Sequence, residues 1–183
     1  SRGNAPRVRI LCAACSTGQE PYSLAMMLDE LREMGTPINA EIVGVDISDR
    51  VLEKAKSGLY SQFEVQRGLP AKLLVKHFEK VNDMWRISDR IRSAVRFQRF
   101  NLLDDLKALG RFDMVFCRNV LIYFDQPTKK STLERLAGNM PEDGFLLLGA
   151  AETMMGVTDA FEGVPDRRGL YRRNGRWKAS AAA

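Results

Sequence analysis

The stretch Ala13-Ala14-Cys15-Ser16-Thr17-Gly18-Gln19-Glu20-Pro21-Tyr22-Ser23 constrains this chain more than any other. It lies between a short apolar strand, marked by Val8, Ile10 and Leu11, and an amphipathic helix. The next apolar strand, Ile42-Val43-Gly44-Val45, ends on an acid, Asp46. A strand–turn–helix–strand unit of this kind builds a nucleoside-binding crevice at the strand ends. Small residues let the backbone approach a ligand, and the first helical turn offers it unpaired N–H groups. No G-x-G-x-x-G is present, so the dinucleotide fingerprint is missing. The reading therefore moves from a pyrophosphate-bearing cofactor to a nucleoside without phosphates, of which S-adenosylmethionine is the commonest.

The rest of the chain supports the same architecture. Pro21 suits a first helical turn, and Leu24, Ala25, Met27, Leu28 and Leu31 form a helical stripe ending near Gly35. Ser48 or Asp49 caps a helix reaching about Ser57. A short helix is expected after Pro70, and strands over Met84–Ile87, Ala94–Phe100, Phe112–Cys117 and Gly144–Gly149, with a helix from Pro127 to Met140. Phe161–Val164 and Leu170–Arg173 flank a Pro-Asp-Arg-Arg-Gly turn and predict a terminal hairpin. Alternating strands and helices make an α/β, Rossmann-like, mostly parallel sheet covered on both faces, to which the hairpin adds antiparallel strands. Residues 1–174 form the expected cofactor-binding domain, with a small β excursion over 79–100. Residues 175–183, ending Ala-Ser-Ala-Ala-Ala, read as a frayed tail.

Composition narrows the class. A chain of 183 residues, 45% of them hydrophobic, suits one domain with a sizeable core. No apolar run reaches the roughly 20 residues needed to span a bilayer, and Ser1 to Pro6 is no signal peptide. Cys12, Cys15 and Cys117 read as small reduced core residues rather than a redox pair. With one histidine, His77, and no second cysteine pair, zinc is not indicated and no metal is expected. These features predict a soluble, cytoplasmic protein. The net charge of +5 favours acidic partners. Its excess gathers in the tail and in Arg86, Arg90, Arg92, Arg96 and Arg99, and both clusters read as solvated faces. Met154 and Met155 read as apolar filling, and His77 as structural or exposed.

Four places carry candidate chemistry. Asp46, at the end of the second strand, is placed to accept both ribose hydroxyls. Glu20 opens the first helix, where a carboxylate gains from the helix dipole and could face a cationic ligand group. Asn101-Leu102-Leu103-Asp104 follows a strand, so an amide, nearby backbone groups and the Leu102 face could read an adenine. Finally, an apolar strand runs into Arg118-Asn119, with Tyr123 four residues on. Arg and Asn at the mouth of a central strand are costly to bury without polar partners, which favours a site over packing.

Together, Ala13 to Ser23, Gly44 to Ile47, Asn101 to Leu103 and Cys117 to Phe124 resemble the chemotaxis receptor methyltransferases, the CheR family. The strings Ser-Thr-Gly-x-Glu-Pro-Tyr-Ser and Cys-Arg-Asn-Val-x-Ile-Tyr-Phe carry the likeness, which runs from Arg7 to Arg173. The resemblance implies transfer of a methyl group from S-adenosyl-L-methionine to glutamate side chains of methyl-accepting chemoreceptors, with glutamyl methyl ester and S-adenosyl-L-homocysteine as products. It implies cofactor contacts at Glu20, Asp46, Asn101, Leu102, Arg118 and Asn119, and catalytic roles for Tyr123 and Arg118. It also implies a partner in the receptor's cytoplasmic domain, and neither nucleic acid nor membrane insertion. The family carries a small N-terminal helical domain ahead of the first strand, so this chain is expected to be the catalytic domain without it. Some members use a three-stranded excursion to grip a receptor peptide; here Glu79 to Val95 reads as short, with no glycine in its turns. Two other readings remain: a non-catalytic module that binds S-adenosylmethionine or S-adenosylhomocysteine, and a nucleic-acid methyltransferase. Against the latter, no Asn/Asp-Pro-Pro-Tyr/Phe motif follows the Phe112–Cys117 strand.

Overall fold

Burial on both faces of the central strands sets the fold. The computed structural model describes residues 7–178. The strands are β1 (Val8–Ala13), β2 (Ala40–Asp46), β3 (Leu59–Ser61), β4 (Phe78–Val81), β5 (Met84–Ile87), β6 (Val95–Arg99), β7 (Met114–Cys117), β8 (Phe145–Leu148), β9 (Phe161–Gly163) and β10 (Leu170–Arg173). The helices are α1 (Gln19–Glu33), α2 (Asp49–Ser57), α3 (Gln62–Gln66), α4 (Ala71–His77), α5 (Asp89–Arg92) and α6 (Gln126–Gly138). Leu11 and Ala13 of β1, Val43 and Val45 of β2, and Val115 and Cys117 of β7 point to one face, against Leu133, Leu136 and Ala137 of α6. Ile10, Cys12 and Ile42 point to the other, against Tyr22, Ala25 and Met26 of α1 and Leu52 of α2. Two buried faces explain why these strands read as continuous apolar runs.

The main sheet has the order β6-β2-β1-β7-β8-β10-β9. Its first five strands are parallel, and β10 runs antiparallel between β8 and β9, so the terminal hairpin expected from Phe161 to Arg173 is present. From β1 the chain winds outward through β2 to β6, then crosses back to β7 on the other side of β1. The order therefore reverses between β1 and β7, the topological switch point where open α/β sheets bind ligands at the carboxyl ends of their strands.

The excursion differs from its expected bounds of 79–100. Val95–Arg99 is the edge strand of the main sheet, parallel to β2. The small antiparallel sheet has the order β3-β5-β4 and recruits Leu59–Ser61 from well upstream. Its tight turn needs no glycine because Asn82 takes the left-handed conformation at φ 53, one that asparagine tolerates. The tail also departs from expectation within its described part. Trp177 packs against the α6-side core, and Arg176 N–H bonds back to the Asn174 side chain. Residues 179–183 and Ser1–Pro6 lie outside the described residues.

All three cysteines are free and buried. Burial, with the charge of Asp46 nearby, pushes the Cys15 thiol up to about 12, so it stays protonated. His77 is buried. Met154 fills the core but Met155 is exposed, so the pair divides. The arginine-rich stretch is more than a solvated face. Arg90 lies 2.6 Å from the buried Asp29 of α1, while Arg86 pairs with Glu79, Arg92 with Asp89 and Arg99 with Asp49. No helix among the described residues is long and apolar enough to cross a membrane.

Candidate functional site

The loop between β1 and α1 alternates its backbone hand. Ala14 (φ 51), Ser16 (φ 50) and Gly18 (φ 91) are all left-handed. Each non-glycine residue in that region costs roughly 1–2 kcal/mol, so the loop holds its shape only because other groups fix it. Cys15 N–H bonds the Val45 carbonyl at 2.9 Å, and Gly18 N–H the Cys15 carbonyl at 3.1 Å. The Tyr60 hydroxyl donates to the Thr17 carbonyl at 2.7 Å. Gly18 is required on two counts: its φ, and a Cβ that would lie 2.9 Å from that of Ala55. Beneath the loop, Tyr22 stacks edge-on against Phe97 with ring centroids 5.4 Å apart and donates to the Ala55 carbonyl at 2.6 Å. Burial pushes the Tyr22 hydroxyl up, which keeps it a donor.

Asp46 closes this loop onto β2. One carboxylate oxygen accepts from Ser16 N–H at 2.9 Å and the other from Ser48 N–H at 3.0 Å. Ser48 stands at the N-cap of α2 with no side-chain capping bond, so the expected cap is not made. Each Asp46 oxygen keeps a lone pair for a ligand, and the two backbone bonds fix the plane of the carboxylate. The start of α1 is likewise open: Gly18 makes no side-chain cap, leaving first-turn N–H groups unpaired by any cap.

Glu20 and Arg118 meet across the switch point. Glu20 projects from the first turn of α1 and Arg118 follows β7, 98 residues later; the guanidinium donates to the Glu20 carboxylate at 3.1 Å. Burial pushes the Glu20 carboxyl above its ordinary value, while the hydrogen bond and charge of Arg118 pull it down. Asn119, next in sequence, is left-handed at φ 59. Tyr123 ends a short 3-10 turn, Leu121–Tyr123, with 79% of its surface exposed. Among the described residues no hydrogen bond joins its hydroxyl to Glu20, Arg118 or Asp46.

The Asn101 loop corrects one expectation. Leu102 is 7% exposed and packs in the core with Leu106, Leu109 and Leu121, so its side chain is not a platform for a base; the exposed neighbour is Leu103. The Asn101 side chain turns back on its own loop, where its oxygen accepts from Leu103 N–H at 3.0 Å. Two anchors in these loops escaped the sequence reading. Arg135 of α6 donates to the Leu103 carbonyl and, at 3.2 Å, to Thr132. Glu152, in the segment after β8, accepts backbone N–H bonds from Asn119, Val120, Leu121 and Gly149. Neither shows a periodic or motif signal, because each acts through a contact distant in sequence.

An acid with a fixed plane at the end of β2, an open helix start, and an ion pair joining the first turn of α1 to the residue after β7 fit a nucleoside bearing a charged tail. The profile of the CheR methyltransferase, SAM binding domain, matches residues 1–170. The chain belongs to the CheR family. Chemotaxis protein methyltransferase Cher2 of Pseudomonas putida is 41% identical to it over 168 residues, 90% of this chain and 61% of that protein. Chemotaxis protein methyltransferase 1 of Pseudomonas aeruginosa is 42% identical over 171 residues, 91% of this chain and 62% of that protein. The chain therefore spans about three-fifths of the length of these CheR relatives. Among solved structures, magnesium protoporphyrin IX methyltransferase of Synechocystis PCC 6803 with bound SAH aligns at a TM-score of 0.47 and 21% identity, over 84% of this chain and 51% of that one.

Proposed function

We propose that residues 1–174 are the S-adenosylmethionine-binding catalytic domain of a protein-glutamate O-methyltransferase. On this reading its substrates are glutamate side chains in the cytoplasmic domain of methyl-accepting chemoreceptors, and its place in the cell is the cytoplasm beside them. The observation that carries the reading is the Glu20–Arg118 pair bridging the switch point beside the fixed carboxylate of Asp46. Asp46 accepts the two ribose hydroxyls. The pair offers one negative and one positive tip, the complement of an amino-acid ammonium and carboxylate. Backbone groups at Asn101 and Leu102 read the adenine edge, and Asn119 lines the crevice between them.

S-adenosylmethionine, when bound, supplies a methyl group already activated by its sulfonium. The protein's own residues then have to align and desolvate the acceptor rather than deprotonate it. A glutamate with a reference pKa of about 4.3 is already a carboxylate nucleophile at neutral pH. Alignment alone can account for much of the rate. Tyr123, exposed on its turn, donates a hydrogen bond that orients the incoming carboxylate, and Arg118 offsets its charge on approach. Too tight a pairing would slow the step, because the charge of the acceptor is consumed as the ester forms. An ion pair that already engages Arg118 moderates that grip.

The test is methyl transfer from labelled S-adenosylmethionine to receptor-rich membranes. Label should enter receptor protein in a form released by mild alkali, as an ester is. Binding of S-adenosylhomocysteine without transfer would support a non-catalytic module instead, and label recovered in nucleic acid would overturn the substrate class.

A further inference from the structure

Glu152 is neither in a recognised string nor on a regular element, yet its carboxylate makes more hydrogen bonds than any candidate site residue. One oxygen accepts from Asn119 N–H and Gly149 N–H, each at 2.8 Å. The other accepts from Leu121 N–H at 2.9 Å and Val120 N–H at 3.1 Å. A single side chain thus satisfies successive donors at the start of the Leu121–Tyr123 turn and ties them to the end of β8. The approach is close: a Cβ on Gly149 would stand 2.5 Å from the Asn119 side-chain oxygen and 2.8 Å from the Glu152 carboxylate. Asn119 holds its left-handed φ of 59 inside this clamp. Arg118 directly precedes the three successive clamped amides, Asn119 supplies the first of them, and Tyr123 lies two residues beyond the last.

We propose that Glu152 is the positioning residue of the candidate site, fixing the Arg118–Tyr123 loop so that Arg118 meets Glu20 and Tyr123 projects outward. This rests on the cofactor reading of that loop. The chemistry requires both oxygens and the charge. A glutamine presents one oxygen and one NH2, so two of the four N–H donors would face another donor. An aspartate keeps both oxygens but is one methylene too short to reach every partner.

The experiment compares Glu152→Gln, Glu152→Asp and, as a control, Arg9→Ala. Arg9 bonds Glu41 and the Leu109 and Arg111 carbonyls at the opposite end of the sheet. Calorimetric affinity for S-adenosylhomocysteine, thermal midpoint and amide hydrogen exchange are measured on each. Glu152→Gln should weaken binding by about 10-fold or more and speed exchange at Asn119, Val120, Leu121 and Gly149; about 10-fold corresponds to roughly one lost hydrogen bond. Glu152→Asp should recover part of both. The control should lower the midpoint while holding affinity within about twofold. If the parent binds and Glu152→Gln binds equally well, or if affinity merely follows the midpoint across all three variants, the positioning role is overturned. A parent that fails to bind at all removes the cofactor reading and this role with it.

Discussion

Replacing Asp46 with Asn separates the two jobs that the structure gives this side chain. Its carboxylate fixes Ser16 and Ser48 through N–H bonds of 2.9 and 3.0 Å and, on the proposed reading, accepts two ribose hydroxyls. An amide keeps one oxygen and the size of the side chain, so one backbone donor loses its acceptor. Ser16 is exposed, and water can replace a bond there. The stability cost should therefore fall near the lower end of the roughly 1–3 kcal/mol for an unsatisfied donor. The ligand side costs more, because a hydrogen bond to a charged acceptor contributes about 1.5–3 kcal/mol. That range converts to a loss of roughly 10-fold to 150-fold in affinity for S-adenosylhomocysteine. Calorimetry gives the affinity and thermal denaturation the midpoint, on the same preparations. A variant with a lowered midpoint but unchanged affinity would refute the ribose assignment and leave Asp46 as a turn anchor.

Three further perturbations test other parts of the site. Tyr123→Phe removes a hydroxyl from a ring that is 79% exposed, so fold and cofactor affinity should hold. Methyl transfer at saturating cofactor and receptor should nevertheless fall roughly 10-fold to 1,000-fold, or about 1.4–4 kcal/mol; equal rates would make Tyr123 a bystander. Gly18→Ala forces a Cβ to within 2.9 Å of Ala55 at a φ of 91, and should lower stability by about 1–3 kcal/mol in denaturant titration. An unchanged midpoint would contradict the close approach. The third concerns pH. Glu20 has a carboxyl raised above 4.5 and must be ionised to attract an ammonium, so affinity should hold above its raised value and fall as pH drops through it. Arg118→Leu removes both influences that hold the value down, so the loss should begin at higher pH. For folding the sign reverses: a raised carboxyl favours the native state below 4.5, and that contribution is lost as pH rises through the native value. A profile for Arg118→Leu that overlays the parent's would show that the two side chains are not coupled.

The main sheet was legible because its information is local. Leu11 and Ala13 face one layer and Ile10 and Cys12 the other, so β1 announces itself as an unbroken apolar run wherever it is read. The small sheet was not, because β3 is three residues long and pairs with β5, 25 positions later, across two intervening helices. Nothing in Leu59-Tyr60-Ser61 distinguishes such a strand from a turn. Arg99 and Phe97 were misassigned to the excursion for a related reason: an edge strand rich in arginine lacks the apolar run that marks β1, and only its register with β2 reveals it. Trp177 likewise lies beyond the last strand and is recruited by tertiary packing alone.

The candidate site divides along the same line. Glu20, Asp46, Asn101 and Arg118 stand out in the sequence as candidates because each lies where a strand ends or a helix begins, positions a sequence shows directly. What the sequence could not show is what holds them. Asp46 is fixed by Ser16, 30 residues away; Arg118 is engaged by Glu20, 98 away; the loop after Arg118 is tied down by Glu152. Leu102 shows the cost of reading position without packing: of two adjacent leucines, the core took the first and left Leu103 outside. On the proposed reading, these long-range contacts also let one crevice serve both recognition and chemistry. Of the groups proposed to bind the cofactor, Glu20 and Arg118 already neutralise each other, while Asp46 bonds only backbone N–H groups and keeps its charge. On the proposed reading, a carboxylate acceptor meets an arginine already engaged by Glu20 rather than an unpaired one, and the alignment of Tyr123, proposed to be set by the Glu152 clamp, decides whether it reacts.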